Sequence, residues 1–123
     1  MAHIKKILIV DDSFNNLILL EDLLSEMSYE VAVAHDGLEA MDKIRQVTPD
    51  LILLDIMMPK MGGFELMEQI NEEQLHIPVI FITAKNSEEE RKRASELGAA
   101  DFIVKPVIIS DVLEKVEKVI DKS

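Results

Sequence analysis

Short apolar runs recur along the chain at Lys6 to Val10, Glu30 to Ala34, Leu51 to Leu54, Val79 to Ile82 and Phe102 to Val104. They are too short for helices and too continuously apolar for strands with one wet face, so they read as buried parallel strands. Between them lie segments with helical spacing. Ser13 opens Phe14 to Met27, Asp36 opens Leu38 to Val47, and Ser110 opens Asp111 to Ile120. Side-chain oxygens at such positions accept the free N–H groups of a first helical turn. Gly62 and Gly63 precede a further helix from Phe64 to about Asn71, and Asn86 or Ser87 precedes another that ends before Gly98. Val112, Leu113, Val116, Val119 and Ile120 share one face of the last helix, which predicts that it lies on the sheet. The run Leu17 to Leu20 covers every side of its helix, so part of it faces solvent unless a partner covers it.

Strands alternating with helices predict an α/β fold: an open parallel five-stranded sheet with right-handed crossovers and helices on both sides. Ligands of such sheets bind beyond the carboxyl ends of the strands, where the strand order switches. Those ends carry Asp11 and Asp12, Asp55, Thr83, and Lys105 followed by Pro106. Three converging carboxylates repel one another unless a cation joins them. With only oxygen donors at hand, the site favours Mg²⁺, and Mn²⁺ is a possible substitute. Lys105 and the Thr83 hydroxyl add an ammonium and a donor, the means by which a phosphoryl group in transfer is neutralised and oriented. Asp55 is then the natural nucleophile, since a carboxylate needs no general base to attack phosphorus.

Composition narrows the picture. At 123 residues, with 48% hydrophobic and 30% charged content, the chain is expected to form a single domain over residues 1–123 with no output domain. Cysteine is absent, which removes disulfides, thiolate metal sites and thiol nucleophiles. A formal charge of −11 argues against direct contact with nucleic acid or an anionic membrane and favours a neutral or basic protein partner. No apolar run approaches the roughly 20 residues of a membrane span, and Met1 to Lys6 is no signal peptide, so a cytoplasmic location is expected.

The stretches Ile7 to Asp12, Pro49 to Gly63, Ile77 to Ala84 and Gly98 to Pro106, in this order and at these strand ends, resemble the receiver domains of bacterial response regulators, in particular stand-alone chemotaxis- or sporulation-type regulators. The resemblance implies a flavodoxin-like doubly wound (βα)5 three-layer sandwich with strand order 2-1-3-4-5. It implies phosphorylation of Asp55 by a sensor histidine kinase or histidine phosphotransfer protein. Mg²⁺ would be held by Asp11, Asp12, Asp55 and the backbone carbonyl of Met57. A cis Lys105–Pro106 bond would bring the lysine beside the phosphoryl group. Thr83, with Ala84 after it, and Phe102 would form the switch, remodelling the fourth helix, fifth strand and fifth helix. Met57 and Lys85 would tune the phosphoryl lifetime. A downstream protein target and a monomer or phosphorylation-dependent dimer belong to the same implication. Phe102 replaces a tyrosine, so a phenol contact with a partner is lost.

Other features have plainer readings. Met57, Met58 and Met61 read as packing around a turn, and His3, His35 and His76 as surface residues. Glu88 with Lys92 and Glu89 with Arg93 have the i, i+4 spacing of pairs on a solvated helix face. A haloacid-dehalogenase-like phosphohydrolase would need a second Asp two positions beyond its nucleophile. Ser13 stands two beyond Asp11 and Met57 two beyond Asp55. A flavodoxin-like cofactor carrier would need donors in its first loop, where Asp11 and Asp12 would repel phosphate. A phosphate-independent interaction module would tolerate loss of one of these residues, and all are present.

Overall fold

Buried backbone N–H and C=O groups must find partners, and the apolar runs meet this need by pairing with one another. In the computed structural model, which describes residues 4–85 and 87–121, they form one sheet. The elements are β1 (Lys6–Val10), α1 (Phe14–Glu26), β2 (Glu30–Ala34), α2 (Gly37–Val47), β3 (Leu51–Asp55), α3 (Gly63–Glu72), β4 (Val79–Thr83), α4 (Glu88–Glu96), β5 (Asp101–Val104) and α5 (Ile109–Asp121). The strand order is β2-β1-β3-β4-β5, all neighbours parallel: the parallel sheet expected from the apolar pattern, in the doubly wound order that the resemblance implies.

Strand alternation divides the core in two. Ile7 and Ile9 of β1, Leu51 and Leu53 of β3, Ile80 and Ile82 of β4, and Ile103 of β5 pack with Leu17, Leu20 and Leu24 of α1 and with Val112, Val116 and Ile120 of α5. Leu8, Val10, Ile52, Leu54, Val79, Phe81 and Phe102 project to the other side, against Met41 and Ile44 of α2, Leu66, Met67 and Ile70 of α3, and Ala94 of α4. Two layers of helices thus sandwich the sheet. The fully buried Phe81 ring meets Phe64 edge-on, with centroids 5.2 Å apart.

Ser13, Asp36 and Ser87 cap α1, α2 and α4, accepting from the N–H groups of Asn16, Glu39 and Glu90. The expected start of the last helix is displaced. The Ile108 carbonyl already accepts the Val112 N–H, so α5 begins at Ile109 and Ser110 lies inside its first turn instead of capping it. Arg93 likewise departs from its expected role, since its guanidinium pairs with Glu68 of α3 and stands 5.6 Å from the centre of the Phe64 ring. On α1, Leu17 and Leu20 are buried while Ile18 and Leu19 face solvent.

Truncating a large buried ring leaves a cavity that the surroundings fill only in part. Phe81→Ala is expected to lower unfolding free energy by about 3–5 kcal/mol in chemical denaturation, whereas Leu38→Ala on the exposed face of α2 should stay within about 0.5 kcal/mol.

Candidate functional site

Because all five strands run the same way, their carboxyl ends meet at one edge of the sheet, and so do the residues that terminate them. Asp11 and Asp12 follow β1, Asp55 ends β3, Thr83 ends β4, and Lys105 follows β5. Carboxylate oxygens of Asp11, Asp12 and Asp55 all lie within 4.8 Å of one another. Asp11 and Asp55 are only 2% and 4% exposed, while Asp12 is open to solvent. The Lys105 ammonium stands 3.4 Å from Asp11 and 3.7 Å from Asp55. The Lys105–Pro106 peptide bond is cis.

Local backbone holds these carboxylates in place. Asp11 accepts the Ser13 N–H at 2.8 Å and the Asn16 side-chain amide at 3.3 Å, so the first turn of α1 orients it. Asp55 accepts the Met57 N–H at 3.3 Å. Behind Asp55, the start of α3 approaches so closely that a Cβ on Gly63 would stand 2.4 Å from the Asp55 carbonyl oxygen. Only glycine fits that close backbone approach. The Gly63 N–H also donates to the Ile56 carbonyl at 2.9 Å, which fastens the acceptor strand to the helix that follows it.

Electrostatics single out Asp55. Burial, followed by the charge of Asp11, pushes its pKa up to about 7, with Asp12 adding a smaller push. Lys105 and the Met57 N–H oppose the rise without cancelling it. Three oxygen donors and an uncompensated excess of negative charge, with no nitrogen or sulfur ligand in the group among the described residues, fit a hard divalent cation.

The remaining residues of interest lie around this group. Ala84 and Lys85 are exposed, and the Lys85 N–H donates to the Thr83 hydroxyl at 3.2 Å. Met57 presents its side chain to solvent. Thr83 is fully buried, and its hydroxyl donates to Glu90 of α4 at 3.1 Å. Phe102 is buried on β5, with the Arg91 guanidinium 4.8 Å from its ring centre. The Lys115 ammonium of α5 donates to the Phe102 carbonyl at 2.8 Å and pairs with Asp111. Sequence reasoning missed Glu90, Arg91 and Lys115 as neighbours of these positions. The spacing of Ser87 and Glu90 is that of a capping box, a signal that would have marked Glu90 as a side chain able to turn back toward the β4 end.

The chain is similar to known proteins along nearly its whole length. The family model of the response regulator receiver domain matches residues 7–117. The alkaline phosphatase synthesis transcriptional regulatory protein PhoP of Bacillus subtilis (strain 168) is 39% identical over 119 residues, covering 97% of this chain and 50% of that protein. The chain therefore spans about half the length of this curated relative. A CheY-like response regulator receiver domain protein from Methanospirillum hungatei JF-1 superposes with a TM-score of 0.91 at 34% identity, covering 98% of this chain and 96% of that one. The chemotaxis protein CheY4 of Vibrio cholerae gives 0.90 at 30% identity, covering 95% and 99%.

The raised pKa of Asp55 makes a pH prediction. In the unfolded chain the group titrates near its ordinary value of 3.8 and in the fold near 7, so between these pH values the folded state binds more protons. The contribution of Asp55 to stability then falls as pH rises through that window. Asp55→Asn is expected to raise unfolding free energy in metal-free buffer at pH 8 by about 1–3 kcal/mol, below the full linkage value because the pocket mouth is open to water. Thermal unfolding should show the gain shrinking as pH approaches 4. A gain that does not vary with pH would contradict the assignment.

Proposed function

The chain belongs to the response regulator receiver domain family, whose members are phospho-accepting signalling switches, and on that premise we propose that Asp55 is its phospho-acceptor, working with Mg²⁺. The observation that carries this reading is the meeting of Asp11, Asp12, Asp55 and Lys105 at one strand edge. Asp55 Oδ attacks the phosphorus of the donor, the bond from phosphorus to the donor's histidine nitrogen or acyl oxygen breaks, and the leaving group departs with its electron pair. A bound divalent cation would neutralise phosphoryl oxygens and keep Asp55 ionised; Asp11, Asp12, Asp55 and the Met57 carbonyl would hold it. Lys105 offers a second positive charge to the transferred group, and the Thr83 hydroxyl a hydrogen bond to it. The product is an aspartyl phosphate, so the protein acts stoichiometrically as a switch and turns over no external substrate.

The donor in this reading is a sensor histidine kinase or phosphotransfer protein. Exposed Phe14, Ile18 and Leu19 on α1, together with Ile108 and Ile109 at the start of α5, supply an apolar surface for it. Output then runs through α4, β5 and α5 to a protein target, with dimerisation on phosphorylation a further route. A cytoplasmic site of action belongs to the same proposal. It accords with the finding that no helix among the described residues is long and apolar enough to cross a membrane.

Incubation with Mg²⁺ and acetyl phosphate is expected to add one phosphoryl group by intact mass, and Asp55→Asn or chelation of the metal should abolish the gain. A folded wild-type protein that gains no mass would end the reading. Exchanging Met57 and Lys85 together should change the decay rate of the phosphorylated form, measured by the same mass assay over time. Leu19→Glu should slow transfer from the cognate phosphodonor and leave acetyl phosphate labelling unchanged. Equal transfer rates from that donor would remove α1 from the docking surface.

A further inference from the structure

Thr83 and Asp55 leave the sheet on opposite sides. Thr83 shares the alternation of Val79 and Phe81, which face α3 and α4, whereas Asp55 shares that of Leu51 and Leu53, which face α1 and α5. On its own side, the Thr83 hydroxyl is already engaged. Its single proton goes to Glu90 Oε1 at 3.1 Å, and its oxygen takes the Lys85 N–H at 3.2 Å. A hydroxyl has one proton to donate. It can serve the Glu90 carboxylate or a phosphoryl oxygen on Asp55, but not both.

We propose that Glu90 is a positioning residue that holds Thr83 in the resting arrangement by competing with the incoming phosphoryl group for that proton. The proposal rests on Asp55 being the acceptor and adds the group that must be displaced for the switch to move. Glu90 is well placed to hold on. Ser87 fixes its backbone by accepting the Glu90 N–H at 3.1 Å, so the carboxylate is anchored to the first turn of α4. In a capping box this side chain ordinarily turns onto the backbone N–H of the cap, and here it takes Thr83 instead. Glu90 also has room to withdraw, because it borders a cavity of about 330 Å³ with Met57, Lys60 and Phe64. Its neighbour Arg91 lies over the Phe102 ring. Consecutive α4 residues therefore grip the two side chains of the switch, and release of Thr83 frees the turn that also covers Phe102.

A double-mutant cycle on the full chain reads the competition directly. The probe is beryllofluoride with Mg²⁺, a tetrahedral phosphoryl mimic that bonds to a carboxylate oxygen, and its affinity is followed by fluorine NMR. Glu90→Ala should tighten binding about three- to tenfold, within the net worth of an ordinary intramolecular hydrogen bond. Glu90→Gln, which keeps a weaker neutral acceptor, should fall between wild type and Glu90→Ala. In the Thr83→Ala background, Glu90→Ala should leave affinity unchanged, which separates the competition from any loss of α4 stability or of nearby negative charge. Equal tightening in both backgrounds, no tightening in either, or identical effects of Gln and Ala would each overturn the role of Glu90. If the wild-type protein binds no beryllofluoride, the acceptor reading fails, and the role of Glu90 with it.

Discussion

Mutual repulsion among Asp11, Asp12 and Asp55 is the constraint around which this protein is organised. A buried carboxylate beside another is strained unless something positive comes close. The fold supplies the ammonium of Lys105, which lies within 4 Å of both buried carboxylates, and backbone N–H groups at Ser13 and Met57. These reduce the strain without removing it, as the raised pKa of Asp55 records. An oxygen-rich pocket with this excess of negative charge suits a hard cation. A more fully compensated pocket would be more stable and less responsive.

The scaffold can bear this strain because the rest of the sheet is packed with aliphatic side chains on both faces. Burial of such surface is the dominant favourable contribution to folding. Gly63 extends that rigidity to the site by letting α3 lie against the backbone of Asp55. Asn16 and the N–H of Ser13 do the same for Asp11 from α1. A local charge change at Asp55 therefore meets a stiff surround on the β3 and α1 sides. On the β4 and β5 sides the ties are side-chain contacts from α4, Glu90 to Thr83 beside one cavity and Arg91 to Phe102 beside another. On the proposed reading, a phosphoryl group on Asp55 would act on these side-chain contacts before it deformed the packed core.

Much of this was legible in the residues themselves. Short, wholly apolar runs have no amphipathic reading other than a strand buried on both faces, so the sheet and its helical layers followed from pattern alone. The acidic and basic residues at the run ends stood out because a polar side chain next to such a run has one place to go, the sheet edge. The α4 segment was harder. Glu88 to Arg93 alternates charge in the manner of a solvated helix, and spacing within one helix cannot tell which of those side chains will meet a neighbouring element. Arg93 turned to α3 and Glu90 to β4 because both elements lie within reach only after the sheet is assembled.

The sequence by itself determined the strand and helix order, the two-sided burial of the sheet and the gathering of Asp11, Asp12, Asp55, Thr83 and Lys105 at one edge. These depend on periodicity and chain direction, which are local properties. Tertiary structure alone decided that Asp55 would be the strained carboxylate and that Thr83 would donate to Glu90. It also placed Arg91 over Phe102 and Lys115 on the Phe102 carbonyl. The reason is physical: a pKa shift depends on solvent exclusion and on charges a few ångströms away, and a side-chain hydrogen bond on distances near 3 Å. Residues far apart in the chain reach those distances only once the helices are seated on the sheet.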